Sequence, residues 1–291
     1  MRGPGHPMIP SSILATVERD KKLHSLDHLV MVPGHAIWTG AHSERGLDEE
    51  NWILEPYQKG GGRIAAFYNH IRRGVDITLR DEQALLIFSG YVFESSSTQS
   101  FIDNESSGQT KRASTTTEAE SYLRLALSAN LLPSTEQEPF LRATTEEYAL
   151  DSFENLLFSI ARFHEYTGHY PKRITIVGYE MKRKRFTELH RAALRWPQDK
   201  FEYIGIDAEG EEISKAREGE RKNGYIPYTL DTYGCHDMLA EKRRSRNPFI
   251  RFHPYFTSSP DLAPLLNYCP NEVHGGPTTI YDGPLPWDRR H

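Results

Sequence analysis

The sequence predicts an α/β fold: a three-layer α/β/α Rossmann-like domain with a mostly parallel sheet and an irregular C-terminal segment that wraps it. Two observations carry this prediction. Four short apolar runs each stop at a glycine or aspartate turn, as buried strands do. Longer segments with helical periodicity lie between them, and alternating strands and helices form βαβ units with right-handed crossovers.

The predicted strands are rich in residues that suit a sheet covered on both faces. They are residues 27–33, 84–88, 173–177 and 201–206, and the predicted helices are residues 64–74, 117–132, about 145–167 and 181–196. Ligands of such sheets bind beyond the carboxyl ends of the strands, where helices present free N–H groups. The polar residues that directly follow each strand are therefore the first candidates for a site.

Length and composition indicate one globular unit. The chain has 291 residues, of which 37% are hydrophobic and 26% charged, and no apolar run is long enough to cross a bilayer. We expect an N-terminal extension over residues 1–25, the α/β domain over 26–245, and a C-terminal segment over 246–291 packed on that domain. This segment holds eight of the 18 prolines, which excludes long helices there.

Charge and cysteine content narrow the class of partner. A net charge of −5 argues against a general nucleic-acid surface. Two basic clusters, residues 182–185 and 242–244, suit a small anion, or else are solvated helix faces or a nuclear import signal. The N-terminus lacks an apolar signal core, and two cysteines are too few for a disulfide framework. We expect a cytoplasmic protein with no membrane span.

Gly34 and His35 directly follow the first predicted strand. A glycine there lets backbone amides approach a ligand, and His35 can act as acid, base or metal ligand near neutral pH. A turn glycine followed by a histidine bonded to a neighbouring loop explains the same pattern. Dinucleotide, P-loop, zinc and serine-hydrolase motifs are missing from the sequence, so we assign no metal ligands.

Acidic and polar residues cluster at the start of the third predicted helix. Glu147, Asp151 and Asn155 recur every four residues, which predicts a shared face away from the apolar stripe. The helix dipole by itself explains carboxylates in a first turn, such as Glu146 and Glu147. Asp151, Ser152 and Asn155 lie deeper and are harder to explain as caps.

Basic residues open the helix that follows the third predicted strand. Lys182 and His190 fall on one helical face, with Arg185 one position away. Cations at a helix start oppose the dipole, so an anion is expected to offset them. Either a bound phosphate or carboxylate, or the side chains of Glu180 and Glu188, would do so.

Five elements in this order resemble the family of the bacterial SanA, YdcF and ElyC proteins, most closely its eukaryotic, fungal-type branch. They are Val-Pro-Gly-His at 32–35, Ser-Gly at 89–90, and residues 118–122, 147–155 and 178–190. The resemblance runs from about residue 27 to 207 and continues more loosely to the C-terminus. It implies a three-layer α/β/α fold with a pocket lined by these elements, and S-adenosylmethionine binding is proposed for one branch.

The sequence departs from that family after its second predicted strand. The family continues as Ser-Gly-Gly-Gln-Thr-Arg, whereas here residues 91–107 separate Ser89-Gly90 from Gly108-Gln109-Thr110. The inserted residues are rich in Ser, Thr, Asn and Asp, so we expect a flexible excursion at the pocket mouth. They are either a lid-like insertion or a retained intron, and sequencing the transcript decides between the two.

These observations predict an intracellular enzyme, a hydrolase or transferase, that binds a small anionic metabolite bearing a phosphate or nucleotide group. The acid/base candidates are His35, Asp151 and His190. The predicted ligand-binding residues are Gly34, Ser89, Gly90, Gln109, Thr110, Glu118, Glu147, Ser152, Asn155, Glu180, Lys182 and Arg185. Two alternatives stay open: an S-adenosylmethionine-binding protein without catalysis, in which Asp151 or Glu147 meets the ribose hydroxyls or the amino group, and a non-catalytic interaction module that uses residues 246–291.

Overall fold

A parallel sheet forms the middle layer of the computed structural model, which describes residues 9–40, 46–60, 62–91, 116–208 and 213–288. The strands are β1 (His28–Pro33), β2 (Ile37–Trp38), β3 (Trp52–Ile53), β4 (Ala84–Ser89), β5 (Ala143–Glu146), β6 (Arg173–Gly178) and β7 (Phe201–Gly205). Five of them pair in parallel in the order β5-β4-β1-β6-β7, and β2 and β3 form a separate antiparallel ladder.

The helices lie on both faces of the sheet. They are α1 (Ser11–Leu14), α2 (Arg63–Arg80), α3 (Glu118–Ser128), α4 (Ser152–Thr167), α5 (Arg191–Ala193), α6 (Ile213–Glu220), α7 (Ile226–Leu230), α8 (Asp237–Ser245), α9 (Tyr255–Ser258) and α10 (Ala263–Leu266), with π-helical turns at Arg185–His190 and Arg221–Tyr225. No helix in the described part of the chain is long and apolar enough to cross a membrane.

Alternate residues of the central strand β1 enter two separate cores. Val30 and Val32 pack with α2 and α3 on one face, whereas Leu29 and Met31 pack with α4 on the other. All four side chains are fully buried, because a parallel strand covered by helices on both faces has no solvent side. The predicted three-layer Rossmann-like fold is therefore confirmed.

The four predicted strands are all present, and the structure adds three that the sequence pattern does not predict: β2, β3 and β5. Residues 143–146 read Ala-Thr-Thr-Glu, a short polar edge strand with alternating burial, and they overlap the predicted helix over about 145–167. That helix begins only at Ser152. The predicted helix over 181–196 consists of a 3-10 turn, a π-helical turn and the short α5.

The topology places a crevice between β1 and β6. The chain moves outward from β1 through β4 to β5 and then returns to the other side of β1 to form β6 and β7. The helix after β1 covers one face of the sheet, and the helical turns after β6 cover the opposite face. Connections that diverge in this way leave room for a ligand beyond the carboxyl ends of the two strands.

The C-terminal segment contributes to the core on the α4 face. Tyr255, Leu262, Leu265, Tyr281 and Leu285 are buried there, and α9 packs directly on α4. A segment that buries this much apolar surface is anchored to the domain by the hydrophobic effect.

Candidate functional site

The turns after β1 and β4 enclose the side chain of Glu118. A Cβ atom on Gly34 would lie 2.4 Å from Glu118 Cβ, and one on Gly90 would lie 2.5 Å from Glu118 Oε2. Glycine is therefore required at both turns for this close approach. The Gly34 amide donates to the Ser89 carbonyl at 2.7 Å and the Gly90 amide to the Glu146 carbonyl at 3.1 Å. The prediction that these amides hold a ligand is corrected, because both already donate to strand carbonyls.

Glu118 is a buried acid at the first position of α3. Thr117 caps this helix by accepting a hydrogen bond from the Glu120 amide at 3.0 Å, and Glu118 is only 9% exposed. Burial raises the pKa of Glu118 to about 7, against the opposing effect of the positive charges of Arg246 and Lys182. A carboxyl with such a pKa exchanges its proton near neutral pH.

His35 and Lys182 meet across the crevice between β1 and β6. Lys182 Nζ lies 3.3 Å from His35 Nδ1. An ammonium group only donates, so Nδ1 accepts and the imidazole proton resides on Nε2, for which the described residues provide no hydrogen-bond partner. Burial, then the charge of Lys182, lowers the pKa of His35 well below its usual value. Burial and the charge of Arg185 lower the pKa of Lys182 to about 8.

Ser152 and His190, predicted as a ligand-binding and a catalytic residue, form a direct pair. Ser152 Oγ lies 2.8 Å from His190 Nε2. His190 is fully buried, and burial followed by the charge of Arg185 lowers its pKa well below the usual value. The neutral imidazole can accept the Ser152 proton. Its Nδ1 atom has no partner within the described structure, so the pair lacks the acid of a catalytic triad.

Asp151 is the N-cap of α4 rather than an interior helical residue. Its Oδ1 accepts from the Glu154 amide at 2.9 Å, and its Oδ2 accepts from Arg243 Nε at 2.6 Å. Burial acts to raise the pKa of Asp151, but the charge of Arg243 outweighs it and the pKa is lowered. Asp151 therefore stays ionised as a partner of Arg243, and the prediction that it acts as an acid/base group is not supported by this geometry.

Glu147 and Asn155 do not share the face predicted for them. Glu147 precedes α4 and accepts a hydrogen bond from Thr145 Oγ1 at 2.7 Å. Asn155 lies within α4, and its Oδ1 atom is 2.9 Å from Ser89 Oγ. The predicted four-residue spacing fails because the backbone between Glu147 and Asp151 is not helical.

Ser89 connects the end of β4 to a second buried carboxyl, Glu146. Ser89 Oγ lies 2.8 Å from Glu146 Oε2. Glu146 Oε1 accepts from the Tyr148 amide at 2.8 Å and from the Tyr255 hydroxyl at 3.0 Å. Burial raises the pKa of Glu146 to about 7. Glu146 is not among the predicted site residues, because the sequence around it predicts the start of a helix rather than strand β5.

The second basic cluster of the sequence, residues 242–244, also lies near the carboxyl ends of the parallel strands, which are called the carboxyl edge below. Lys242 and Arg243 lie on α8, and Arg246 directly follows it. Arg246 Nη1 donates to the Leu150 carbonyl at 2.7 Å, and its charge acts on Glu118. The sequence signal was present as the basic run 242–244, but nothing in the sequence placed that run beside Lys182.

Arg185 is offset by Glu220, an acid that is not among the predicted site residues. Its Nε atom lies 3.2 Å from Glu220 Oε1. Glu180 pairs instead with Arg183 at 2.6 Å, and Glu188 accepts a hydrogen bond from Tyr225 at 2.9 Å. Glu180 thus offsets Arg183 of the basic run 182–185, as one of the two explanations predicted, whereas Glu188 does not pair with Arg185.

Two predicted elements cannot be placed. Gln109 and Thr110, and all of the inserted residues 91–107 except Tyr91, lie outside the described residues. One cavity of about 510 Å³ lies at the amino ends of the strands, near Leu26 and Arg142. Another, of about 120 Å³, is lined by Tyr233 and Leu265 and also by Glu154 and Arg243. The larger cavity does not contain the candidate residues, so size alone does not define the site.

Metal-ligand atoms come together at one place in the described structure, at Cys235, His236 and Cys269, whose donor atoms all lie within 4.8 Å of one another. Cys235 and Cys269 form a disulfide, so their sulfur atoms are not free to bind a metal. Two cysteines are too few for a disulfide framework, and here they form a single bond.

The fold and this charged edge define a Rossmann-like α/β protein with a cluster of titratable groups at the topological switch point. The chain is 33% identical over 276 residues to the uncharacterized protein YOR238W of Saccharomyces cerevisiae, an alignment that covers 78% of this chain and 86% of the yeast protein. The chain belongs to the family of this yeast protein. No protein-family model matches the chain, and no solved structure matches it.

Proposed function

We propose that this protein is an enzyme that binds a small phosphate-bearing anion at the carboxyl edge, between β1 and β6. The observation that carries the proposal is the convergence of cationic side chains from distant parts of the chain. Lys182 and Arg185 follow β6, whereas Lys242, Arg243 and Arg246 come from α8 and the residue after it. Besides burial, the charges of Arg185 and Arg246 lower the pKa values of Lys182 and Lys242, which requires these four groups to be close.

The acids at this edge cancel only part of these charges near neutral pH. Asp151 stays ionised beside Arg243, and Glu220 pairs with Arg185 at 3.2 Å. Burial raises the pKa of both Glu118 and Glu154 to about 7, so each is partly protonated. The region therefore carries net positive charge. A buried positive region is stabilised by a bound anion, and a phosphate offers several strong acceptors to such a cluster.

Two pairs of side chains supply the chemistry in this proposal. Glu118, with a pKa of about 7, can exchange a proton near neutral pH, and His35, kept neutral beside Lys182, can donate a hydrogen bond from Nε2. We therefore assign Glu118 as the acid/base group of this pair and His35 as its hydrogen-bond donor. Ser152 and His190 form a hydroxyl–imidazole pair in which the hydroxyl can be activated. Both arrangements fit a hydrolase or transferase.

The alternatives have less support. S-adenosylmethionine carries a sulfonium cation, which a positive region disfavours, and its proposed partners Asp151 and Glu147 are engaged by Arg243 and Thr145. An interaction module based on residues 246–291 would use side chains of which several are buried in the core. The resemblance to the SanA, YdcF and ElyC family stays a proposal, supported by the position of residues 32–35 at the crevice.

The test compares the binding of inorganic phosphate, adenosine monophosphate and S-adenosylmethionine by thermal shift and calorimetry. We expect the phosphate compounds to stabilise the protein. Lys182→Gln should weaken their binding by about tenfold or more, the loss of one charge-assisted contact. Lys184→Gln, an exposed position of the same basic run, is the matched control and should bind as the unmodified chain does.

Two outcomes would overturn the proposal. The first is stabilisation by S-adenosylmethionine without stabilisation by either phosphate compound. The second is an equal loss of phosphate binding in Lys182→Gln and Lys184→Gln, which would indicate general charge attraction rather than a site.

A further inference from the structure

The disulfide between Cys235 and Cys269 joins two segments that lie far apart in the sequence. Cys235 lies in the loop between α7 and α8, and Cys269 lies 34 residues further on in the C-terminal segment. Cys269 is exposed to solvent, whereas Cys235 is partly buried. A dissolved thiol can therefore reach the sulfur of Cys269 more easily than that of Cys235.

A histidine lies beside the exposed sulfur. His236 Nε2 is 2.7 Å from the Pro270 carbonyl oxygen and 3.5 Å from Cys269 Sγ. A carbonyl only accepts, so Nε2 carries a proton that can also interact with a thiolate on Cys269. A neighbouring N–H donor stabilises a cysteine thiolate and favours thiol–disulfide exchange at that sulfur.

The loop that carries Cys235 rests on the ion pair at the start of α4. Arg243 Nη2 donates to the Tyr233 carbonyl at 2.7 Å, and Arg243 Nε donates to Asp151 at 2.6 Å. A Cβ atom on Gly234 would lie 2.7 Å from Arg243 Nη2 and 3.0 Å from Asp151 Oδ2. The disulfide thus fixes a loop that contacts the partner of Asp151, next to Ser152.

We propose that Cys235–Cys269 is a reversible exchange site for a low-molecular-weight thiol such as glutathione. The glutathione thiolate attacks Cys269 Sγ, the bond between the two cysteines breaks, and Cys235 leaves as a thiolate that takes up a proton. A second glutathione thiolate attacks the glutathione sulfur of the mixed disulfide, which releases glutathione disulfide and leaves Cys269 as a thiolate beside His236. In the reverse direction, the Cys269 thiolate attacks glutathione disulfide and releases one glutathione thiolate, and the Cys235 thiolate then attacks Cys269 Sγ of the mixed disulfide and releases the second.

Opening the bond has a structural consequence in this proposal. It removes the covalent link between the C-terminal segment and the loop at 231–236, which then stay joined only by weaker contacts such as the hydrogen bond from His236 to the Pro270 carbonyl, and it loosens the position of Arg243. The hydrogen bonds from the Cys235 and His236 amides to Asp231, at 3.2 and 2.8 Å, remain and keep the loop folded. The expected change is therefore local, and the core stays intact.

The test uses the full chain and does not depend on the proposed ligand. The protein is equilibrated in mixtures of glutathione and glutathione disulfide, and the exchange is then quenched. Free thiols are labelled with a maleimide polymer, and their number per chain is measured by gel shift. We expect both thiols to appear together as the mixture becomes more reducing, and reduction to speed proteolysis within residues 246–288 several-fold. Cys235→Ser and Cys269→Ser, which cannot form the bond, should be cleaved equally with and without reductant.

Mass spectrometry of the two variants in glutathione disulfide locates the exchange. We expect the glutathione adduct mainly in Cys235→Ser, which keeps the exposed Cys269, and much less in Cys269→Ser. Labelling that is unchanged across all mixtures, equal adducts in both variants, or proteolysis insensitive to reduction would each overturn the proposal. Stoichiometric zinc in the reduced protein would also overturn it, because it would make the cluster a metal site.

Discussion

Histidines are buried at both the amino edge and the carboxyl edge of the central sheet, where the amino and carboxyl ends of the parallel strands lie. Their hydrogen bonding differs between the two edges. At the amino edge, His28 Nδ1 lies 2.7 Å from Asp81 Oδ2 and His28 Nε2 lies 2.8 Å from Thr175 Oγ1, so both ring nitrogens are bonded. At the carboxyl edge, His35 and His190 each keep one ring nitrogen without a partner among the residues described. Buried polar atoms are normally paired.

The carboxylic acids at the two edges differ in the same way. At the amino edge, burial acts to raise the pKa of Asp81, but the hydrogen bond from His28 and the nearby Arg173 bring the pKa below its usual value. At the carboxyl edge, burial outweighs all partners of Glu118 and its pKa rises to about 7. Burial of a titratable group is therefore not by itself a sign of function. Burial without adequate partners is the feature that distinguishes the candidate site.

The largest effect is expected from Asp151→Ala. The change leaves the Arg243 guanidinium without its closest carboxylate and removes the cap of α4, which should cost about 3–5 kcal/mol of unfolding free energy. Urea denaturation measures it. Glu241→Ala, at an exposed position of α8, is the control and should change stability by no more than about 0.5 kcal/mol. A loss below about 1 kcal/mol for Asp151→Ala would contradict a structural role.

His28→Ala tests the amino edge. It removes the buried partner of Asp81 and Thr175, so we expect a loss of about 2–4 kcal/mol of unfolding free energy. Phosphate affinity, measured by calorimetry, should stay the same. A fall in affinity as large as that of Lys182→Gln would mean that the two edges are not functionally distinct.

Glu118→Gln should change the pH dependence of stability. Because the pKa of Glu118 is raised by folding from 4.5 to about 7, the folded state keeps a proton that the unfolded state has lost, and stability falls as pH rises through this interval. Glutamine does not titrate, so the stability of the variant does not fall in this way as pH rises. Its stability relative to the unmodified chain should increase by up to about 3 kcal/mol between pH 4.5 and 7.

Denaturation of both proteins at several pH values provides the measurement for Glu118→Gln. Parallel stability curves across the interval would show that Glu118 does not carry the raised pKa. Phosphate affinity should rise in the variant at neutral pH, because a negative charge beside Lys182 and Arg246 is removed.

The smallest effect is expected from Ser152→Ala. His190 Nε2 loses one hydrogen bond, and a single neutral hydrogen bond contributes about 1 kcal/mol. Thermal unfolding measures the change. A loss above about 3 kcal/mol would indicate that the Ser152–His190 pair stabilises the fold rather than serving the site.

Some of the missed features had a signal in the sequence, and others had none. Asp151 and Glu154 have the D-x-x-E spacing of a capping box. Asp151 does accept from the Glu154 amide at 2.9 Å, whereas Glu154 Oε2 accepts at 2.8 Å from the amide of Leu150, the residue before the N-cap. The helix start was thus readable from the sequence. In contrast, β5 is a short polar edge strand that neither periodicity nor composition distinguishes from a loop or a helix start.

The sequence by itself determined the alternation of strands and helices and the placement of His35 and Lys182 after their strands. A strand buried on both faces must be apolar along its whole length, and this pattern is local. Only the tertiary structure decided which charges meet: Glu118 with Lys182 and Arg246, Asp151 with Arg243, and Arg185 with Glu220. Such contacts depend on how the helices pack across the sheet. The distant partner of each residue therefore cannot be inferred from the local sequence around it.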